Sequence, residues 1–109
     1  MSRKVLYVIH VKIAVRDEER WNKWHNDKHI PMILTVPGFL HVRKFRCLSN
    51  NPEEADYFII YEFRNREAYE RFVKSEEEQR IRHHFLDAWG SRSKIVRWAC
   101  EETFSLARK

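Results

Sequence analysis

The sequence predicts an α+β fold with element order β-α-β-β-α-β, and three observations carry that expectation. Four segments, 4–15, 39–48, 57–63 and 94–100, are rich in β-branched and aromatic residues and show no helical period. Between the first and second, and again between the third and fourth, apolar residues recur at helical spacing behind a polar cap. Only 2 Gly and 3 Pro occur in 109 residues, which leaves little material for long loops. That length suits one domain over 1–109, built around a single hydrophobic core.

The first strand is apolar on both of its alternating sets except at His10 and Lys12, the pattern of a central strand covered on both faces. Asp17 is the expected N-cap of the first helix, with Glu18 and Glu19 placing negative charge against the first-turn N–H groups. The helix should run toward Ile30, be perturbed by Pro31 and end at Pro37-Gly38. The second strand runs into Ser49-Asn50-Asn51-Pro52, a cluster of turn formers. The third is the strongest strand signal in the chain, and Asn65 then caps a helix carrying Ala68, Tyr69, Phe72 and Val73. Ser75 with Glu78 three residues on forms a capping-box pattern. The helix should therefore break near Lys74 and restart with Ile81, His84, Phe85 and Trp89 inward and Gly90 as its stop. The last strand leads to a polar tail that still offers Phe104 and Leu106 for docking.

Two right-handed β-α-β halves close most simply into a four-stranded antiparallel sheet with both helices on one face, the ferredoxin-like sandwich. Two helices cover one face only. Yet Val5, Tyr7, Ile9, Val11 and Ile13 alternate with Leu6, Val8 and Ala14, so the uncovered face is apolar too. Such a face demands a partner, and a homodimer is the expected assembly. Cys47 and Cys100 fall on strands at opposite edges of this sheet, so a disulfide joining them would be intermolecular.

The longest apolar run, near 5–9, is far too short for a membrane span. The basic start leads straight into a strand without a small-residue cleavage site, and two widely separated cysteines suit reduced thiols, so a cytoplasmic location is expected. A net charge of +5 comes from 21 basic residues interspersed with 16 acidic ones, a mild bias rather than a nucleic-acid signature. The same strand order builds the RNA-recognition motif, and Leu6-Tyr7-Val8 and Phe58-Ile59-Ile60-Tyr61 loosely echo its strand motifs. Ala55-Asp56, however, stands where that motif has a basic residue and Gly, and the strand faces are too apolar for a solvated platform. No nucleic-acid or membrane partner is expected. Nucleophile elbows, phosphate-cradling Gly loops, Cys-x-x-Cys pairs and Gly-x-Gly-x-x-Gly are absent, which leaves acid/base or binding chemistry.

The run from Trp21 through Trp24, His25 and His29-Ile30-Pro31 to Pro37-Gly38-Phe39 resembles a signature of the dimeric α+β barrel superfamily, and within it the EthD-like and antibiotic-biosynthesis-monooxygenase-like small proteins. The likeness extends to 57–63, where a Tyr-Glu pair closes the strand before an Asn-capped helix, and covers most of 4–100. It implies two sheets packed face to face into a barrel, and a pocket between each protomer's helices and its own sheet. It does not fix a reaction, because such relatives include cofactor-free oxygenases, cyclases, isomerases and haem-using enzymes.

On a regular first helix, Trp21, His25, Lys28 and Met32 share one face, with Trp24 and His29 at its flanks. If that stripe faces the sheet, a lysine and two imidazoles must be hydrogen-bonded or line a wet cavity; otherwise His25 and Lys28 sit at its solvent edge. His25 and His29 have the i, i+4 spacing of paired metal ligands, but a third ligand would have to come from His10 or His84. Haem ligation by one of them is the other cofactor option. The expectation is no cofactor.

His10 is a candidate general base and Tyr61 a candidate donor to a carbonyl or enolate oxygen, with plain packing the competing reading of each. Of the adjacent His83 and His84, the second fits the inward stripe of Ile81, Phe85 and Trp89. Four tryptophans offer flat walls to an aromatic ligand, and Lys28, Arg43 or Arg97 can hold its carboxylate or phenolate.

The expected function is therefore a cofactor-independent acid/base enzyme. An imidazole of His10, His25 or His29 removes a proton from an acidic C–H or phenol. Tyr61 or a cation stabilises the aromatic or polyketide-like anion that results, leading to its oxygenation, cyclisation or isomerisation. Trp21, Trp24, Lys28, His84 and Trp89 line the binding site. The alternative is a non-catalytic small-molecule or haem-binding domain, and the remote alternative an RNA-binding domain.

Overall fold

The computed structural model describes residues 3–48 and 51–108. Strands β1 (Val5–Ala14), β2 (Phe39–Arg46), β3 (Glu54–Phe63) and β4 (Ser93–Glu101) form one antiparallel sheet in the order β2-β3-β1-β4. Helices α1 (Glu18–Trp24) and α2 (Ile30–Ile33) lie between β1 and β2, and α3 (Arg66–Val73) and α4 (Glu76–Trp89) between β3 and β4. This is the ferredoxin-like arrangement expected from the sequence. Ser49 and Asn50 of the predicted turn lie outside the described residues; beyond them, Asn51 Oδ1 accepts from the Glu53 N–H at 2.8 Å.

Pairing register fixes what the helices cover. Three cross-strand rows face them: Val42–Tyr61–Tyr7–Ala99, Lys44–Ile59–Ile9–Arg97 and Arg46–Tyr57–Val11–Ile95. Ile9, Val11, Ile13, Tyr57, Ile59 and Tyr61 pack there against Trp21, Ile33, Phe85 and Trp89, while Val5 and Phe63 pack against Ala68 and Phe72 of α3. A bulge between Phe39 and His41 lets Phe39 and Val42, three residues apart, share the inward side.

The caps follow the local chemistry. Asn65 Oδ1 accepts from the Ala68 N–H at 2.9 Å and Ser75 Oγ from the Glu78 N–H at 3.2 Å, with the predicted break at Lys74 between the two helices. Two expected helix ends are corrected. The Asp17 side chain caps nothing: a 3-10 turn over Val15–Asp17 precedes α1, and the carboxylate accepts from Arg20 at 3.3 Å instead. Gly90 keeps a right-handed backbone and continues through a 3-10 turn, and Ser93 Oγ closes the end by donating to the Trp89 carbonyl at 2.8 Å.

Gly38 does need its freedom, with φ at 103° and Ala68 Cβ only 3.0 Å from where its own Cβ would stand. Gly38→Ala should strain the backbone and push β2 off α3 at once, costing about 1–3 kcal/mol. A lower urea midpoint at unchanged slope is the expected reading; an unaltered midpoint would refute it.

The other face of the sheet carries Leu6, Val8, Phe45, Phe58, Ile60, Val96 and Trp98. Phe45, Val96 and Trp98 are 48%, 56% and 40% exposed. Polar groups gather around them: His10 and Lys12 on Asp56 at 2.8 and 3.8 Å, and Lys4 and His41 on Glu62, each at 3.3 Å. Cys100 is on β4 and Cys47 just past β2, at opposite edges of the sheet. Phe104 and Leu106 are largely exposed. No helix among the described residues is long and apolar enough to cross a membrane.

Candidate functional site

The first helical segment is not a regular α-helix. Between α1 and α2 the chain makes one π-helical turn, His25–His29. Pro31, in the first turn of α2, explains its place: the proline has no N–H for the Asp27 carbonyl and its ring crowds that carbonyl, which the wider turn upstream relieves. The consequence is a change of face. Residues four apart on an α-helix drift by about 40° per step; the wider turn removes that drift. Trp21, His25, His29 and Ile33 therefore all point inward, each at most 4% exposed. The stripe expected for a regular helix is thereby corrected: Lys28 is exposed to solvent and leaves the binding set, and Met32 is only half-buried.

His25 packs nearly parallel to Trp21, with 4.5 Å between ring centroids. Its Nδ1 accepts from Lys44 Nζ at 3.0 Å, and Lys44 also donates to Asn26 Oδ1 at 2.9 Å while lying 4.2 Å above the Trp21 ring. That bond places the ring proton of neutral His25 on Nε2. Burial first, then the charges of Lys44 and His29, lower the His25 pKa to about 2. Burial lowers that of Lys44 to about 8. The Nδ1 of His29 lies 2.9 Å from the Nδ1 of His84 on α4. Burial, His84 and Arg97 together lower the His29 pKa to about 3.

Beneath the two imidazoles is a small cavity of about 30 Å³ that opens to the surface. Its floor includes Tyr7, Ile9, Tyr61 and Arg97, and its roof His25, His29 and Phe85. Tyr61 is 1% exposed and its hydroxyl has no hydrogen-bond partner; with Trp21 Nε1 it makes up the unsatisfied buried side-chain polar atoms among the described residues. Burial raises the Tyr61 pKa beyond the ordinary phenol range, Tyr7 adding a little. Arg97, half-buried beside Ile9, has no carboxylate within ion-pair distance among the described residues. Glu78, by contrast, is buried at the cavity wall and paired with Arg82.

The cavity thus brings together His25, His29 and Tyr61 of the expected site residues. Trp21 and Trp24 pack behind the imidazoles, Trp89 is core, and His84 reaches the site through His29. His10 does not belong to it. The alternation of β1 sends Ile9 and Val11 toward the helices and His10 to the opposite face, where it binds Asp56. Arg43 is on that outer face as well, with its guanidinium 5.9 Å from the Phe45 ring centre. Lys44 joins the site without a strong sequence signal: it stands two residues after Val42, and the face of that alternation is set by the bulge. Among the described residues no group of three or more His, Cys, Asp and Glu side chains could hold a metal ion.

The sheet order, with the helical segments packed on one face, is the ferredoxin-like fold. A family model described as a domain of unknown function, DUF4286, matches residues 4–103, and the chain belongs to that family. No curated protein matches the sequence. Among solved structures, an ethyl tert-butyl ether D (EthD) family protein from Bacillus halodurans C-125 superposes with a TM-score of 0.70 at 13% identity, over 91% of this chain and 99% of that one. SnoaB from Streptomyces nogalater, a cofactor-independent oxygenase, gives 0.68 at 14% identity over 98% and 100%. A dimeric ferredoxin-like protein from an uncultured marine organism gives 0.57 at 15% over 96% and 100%.

Proposed function

We propose that the protein is a homodimeric, cofactor-independent acid/base enzyme that takes a proton from an acidic C–H or phenol, leading to cyclisation, isomerisation or oxygenation of the resulting aromatic or polyketide-like anion. One observation carries the reading: a buried hydroxyl, Tyr61, and a guanidinium, Arg97, which among the described residues have no hydrogen-bond partner and no carboxylate respectively, border the same cavity under two uncharged imidazoles. Leaving a buried hydroxyl unpaired costs about 1–3 kcal/mol, which a negatively charged ligand oxygen would recover. Arg97 supplies the matching charge and the apolar wall accepts the ring.

His29 is the base in this reading. Burial keeps its imidazole neutral in the empty cavity, and an anion arriving beside it raises its proton affinity toward the working range. That SnoaB, of the same fold, is a cofactor-independent oxygenase supports the reaction class. The apolar outer sheet face and the dimeric state of a structural neighbour support the homodimer.

Tyr61→Phe tests the reading through two opposite signs. The empty variant should be more stable by about 1 kcal/mol, since an unpaired buried donor is gone, while affinity for 4-nitrophenolate falls about tenfold. Acidic polycyclic phenols incubated with wild type should change mass or spectrum with time, and more slowly with the variant. A destabilised variant with undiminished affinity would remove Tyr61 from the site. Tight binding with no chemical change would leave a binding domain.

A further inference from the structure

The hydrogen bond between His29 and His84 is flat. The two ring planes are parallel within 1°, their centroids are 5.2 Å apart, and the two Nδ1 atoms are 2.9 Å apart. That centroid separation leaves only a ring radius on each side of the N···N contact, so both nitrogens lie on the line between centroids. The rings therefore stand side by side in one plane rather than stacked. An N–H in the plane of both rings points straight at the acceptor lone pair. Trp24 lies across the pair, within 18° of the plane of His29 and 19° of that of His84, at 5.0 and 5.1 Å, so one indole face covers the bond.

The pair joins two different spaces. His29 lines the cavity, whereas half-buried His84 borders an open outer groove with Glu76, His83 and Asp87. We infer that His29 and His84 form a two-imidazole relay that carries protons between the cavity and this outer groove, an inference that rests on His29 being the base of the proposed reaction.

Each step balances. In one tautomer His29 Nδ1–H donates to His84 Nδ1, so His29 Nε2 carries a free lone pair and His84 Nε2 carries a proton. The lone pair on His29 Nε2 takes the substrate proton, the His29 Nδ1 proton crosses to His84 Nδ1, and the His84 Nε2 proton leaves to water in the groove. One proton enters and one leaves, and the pair ends uncharged in the complementary tautomer. Running the sequence backward returns a proton to the product and restores the starting state, as an isomerisation or cyclisation requires. A lone buried imidazole would have to hold a full positive charge, which its surroundings oppose. His84 is then a positioning residue that acts through His29, not a wall of the binding site.

Nitrogen-15 NMR of the full chain without ligand tests the relay. A coupling across the N–H···N bond is expected in wild type, with the His29 ring proton exchanging with water. His84→Gln keeps an acceptor for His29 but cannot pass a proton on, and exchange should slow by about tenfold or more. His84→Phe keeps a ring against Trp24 and loses both nitrogens; the same slowing is expected, so either variant suffices if the other fails to fold. Exchange as fast in these variants as in wild type would overturn the relay. Titration of wild type with 4-nitrophenolate reads the cavity separately: no binding counts against the proposed reaction, while the exchange comparison still decides the relay.

Discussion

Lowering the pH from 7 to 5 should cost this fold about 4 kcal/mol, because two buried imidazoles refuse protons that the unfolded chain accepts. His25 and His29 have folded pKa values of about 2 and about 3, against an ordinary value of 6.5 for a solvated imidazole. Below pH 6.5 the unfolded state therefore binds more protons than the folded one. Stability is at its full value above 6.5 and falls as the pH drops toward the folded values. Each group contributes about 1.4 kcal/mol per pH unit across that window. For a domain of ordinary stability, about 5–15 kcal/mol, this is a large fraction. Urea midpoints at pH 7, 6 and 5 measure it, and His25→Phe, which removes one titration and keeps a ring against Trp21, should roughly halve the slope. A flat profile down to pH 5 would mean that the imidazoles are charged or solvated, and the cavity chemistry built on their neutrality would fall with it.

How much of this was legible in the sequence depends on which physical signal each feature leaves. The strands and the caps at Asn65 and Ser75 are written locally, in period-two alternation and in side chains that reach a backbone N–H three residues away. The π turn at His25–His29 has no comparable signature. Pro31 announces a disturbance but not its form, so a regular helix puts Lys28 where the molecule puts His29. His10 was equally undecidable. β1 is apolar on both alternating sets, so periodicity could not say which set meets the helices, and the answer came from packing against Trp21 and Phe85. Lys44 depends on the bulge at the start of β2, a one-residue event that reverses every later side chain of the strand. Tyr61 was legible as an inward residue of β3, yet that its hydroxyl would lack a partner is a property of four elements at once.

Trp98→Glu is expected to convert the proposed homodimer to monomer in sedimentation while leaving its circular dichroism unchanged. Trp98 is 40% exposed in the single protomer and meets Phe58 edge to face at 6.2 Å, on the uncovered sheet face. In an isolated protomer a carboxylate there stays in contact with water. In a two-fold dimer the same patch faces its own copy, so two carboxylates lose their water together, at several kcal/mol each, and repel one another. A wild type that is monomeric, or a dimer indifferent to Trp98→Glu, would show that this face is not the interface. The effect should also reach the cavity. Arg97 and Trp98 are neighbours on edge strand β4 and point to opposite sides of the sheet, so a partner that clamps Trp98 also fixes the backbone that aims Arg97. The monomeric variant should therefore bind 4-nitrophenolate more weakly even though no cavity residue has been changed.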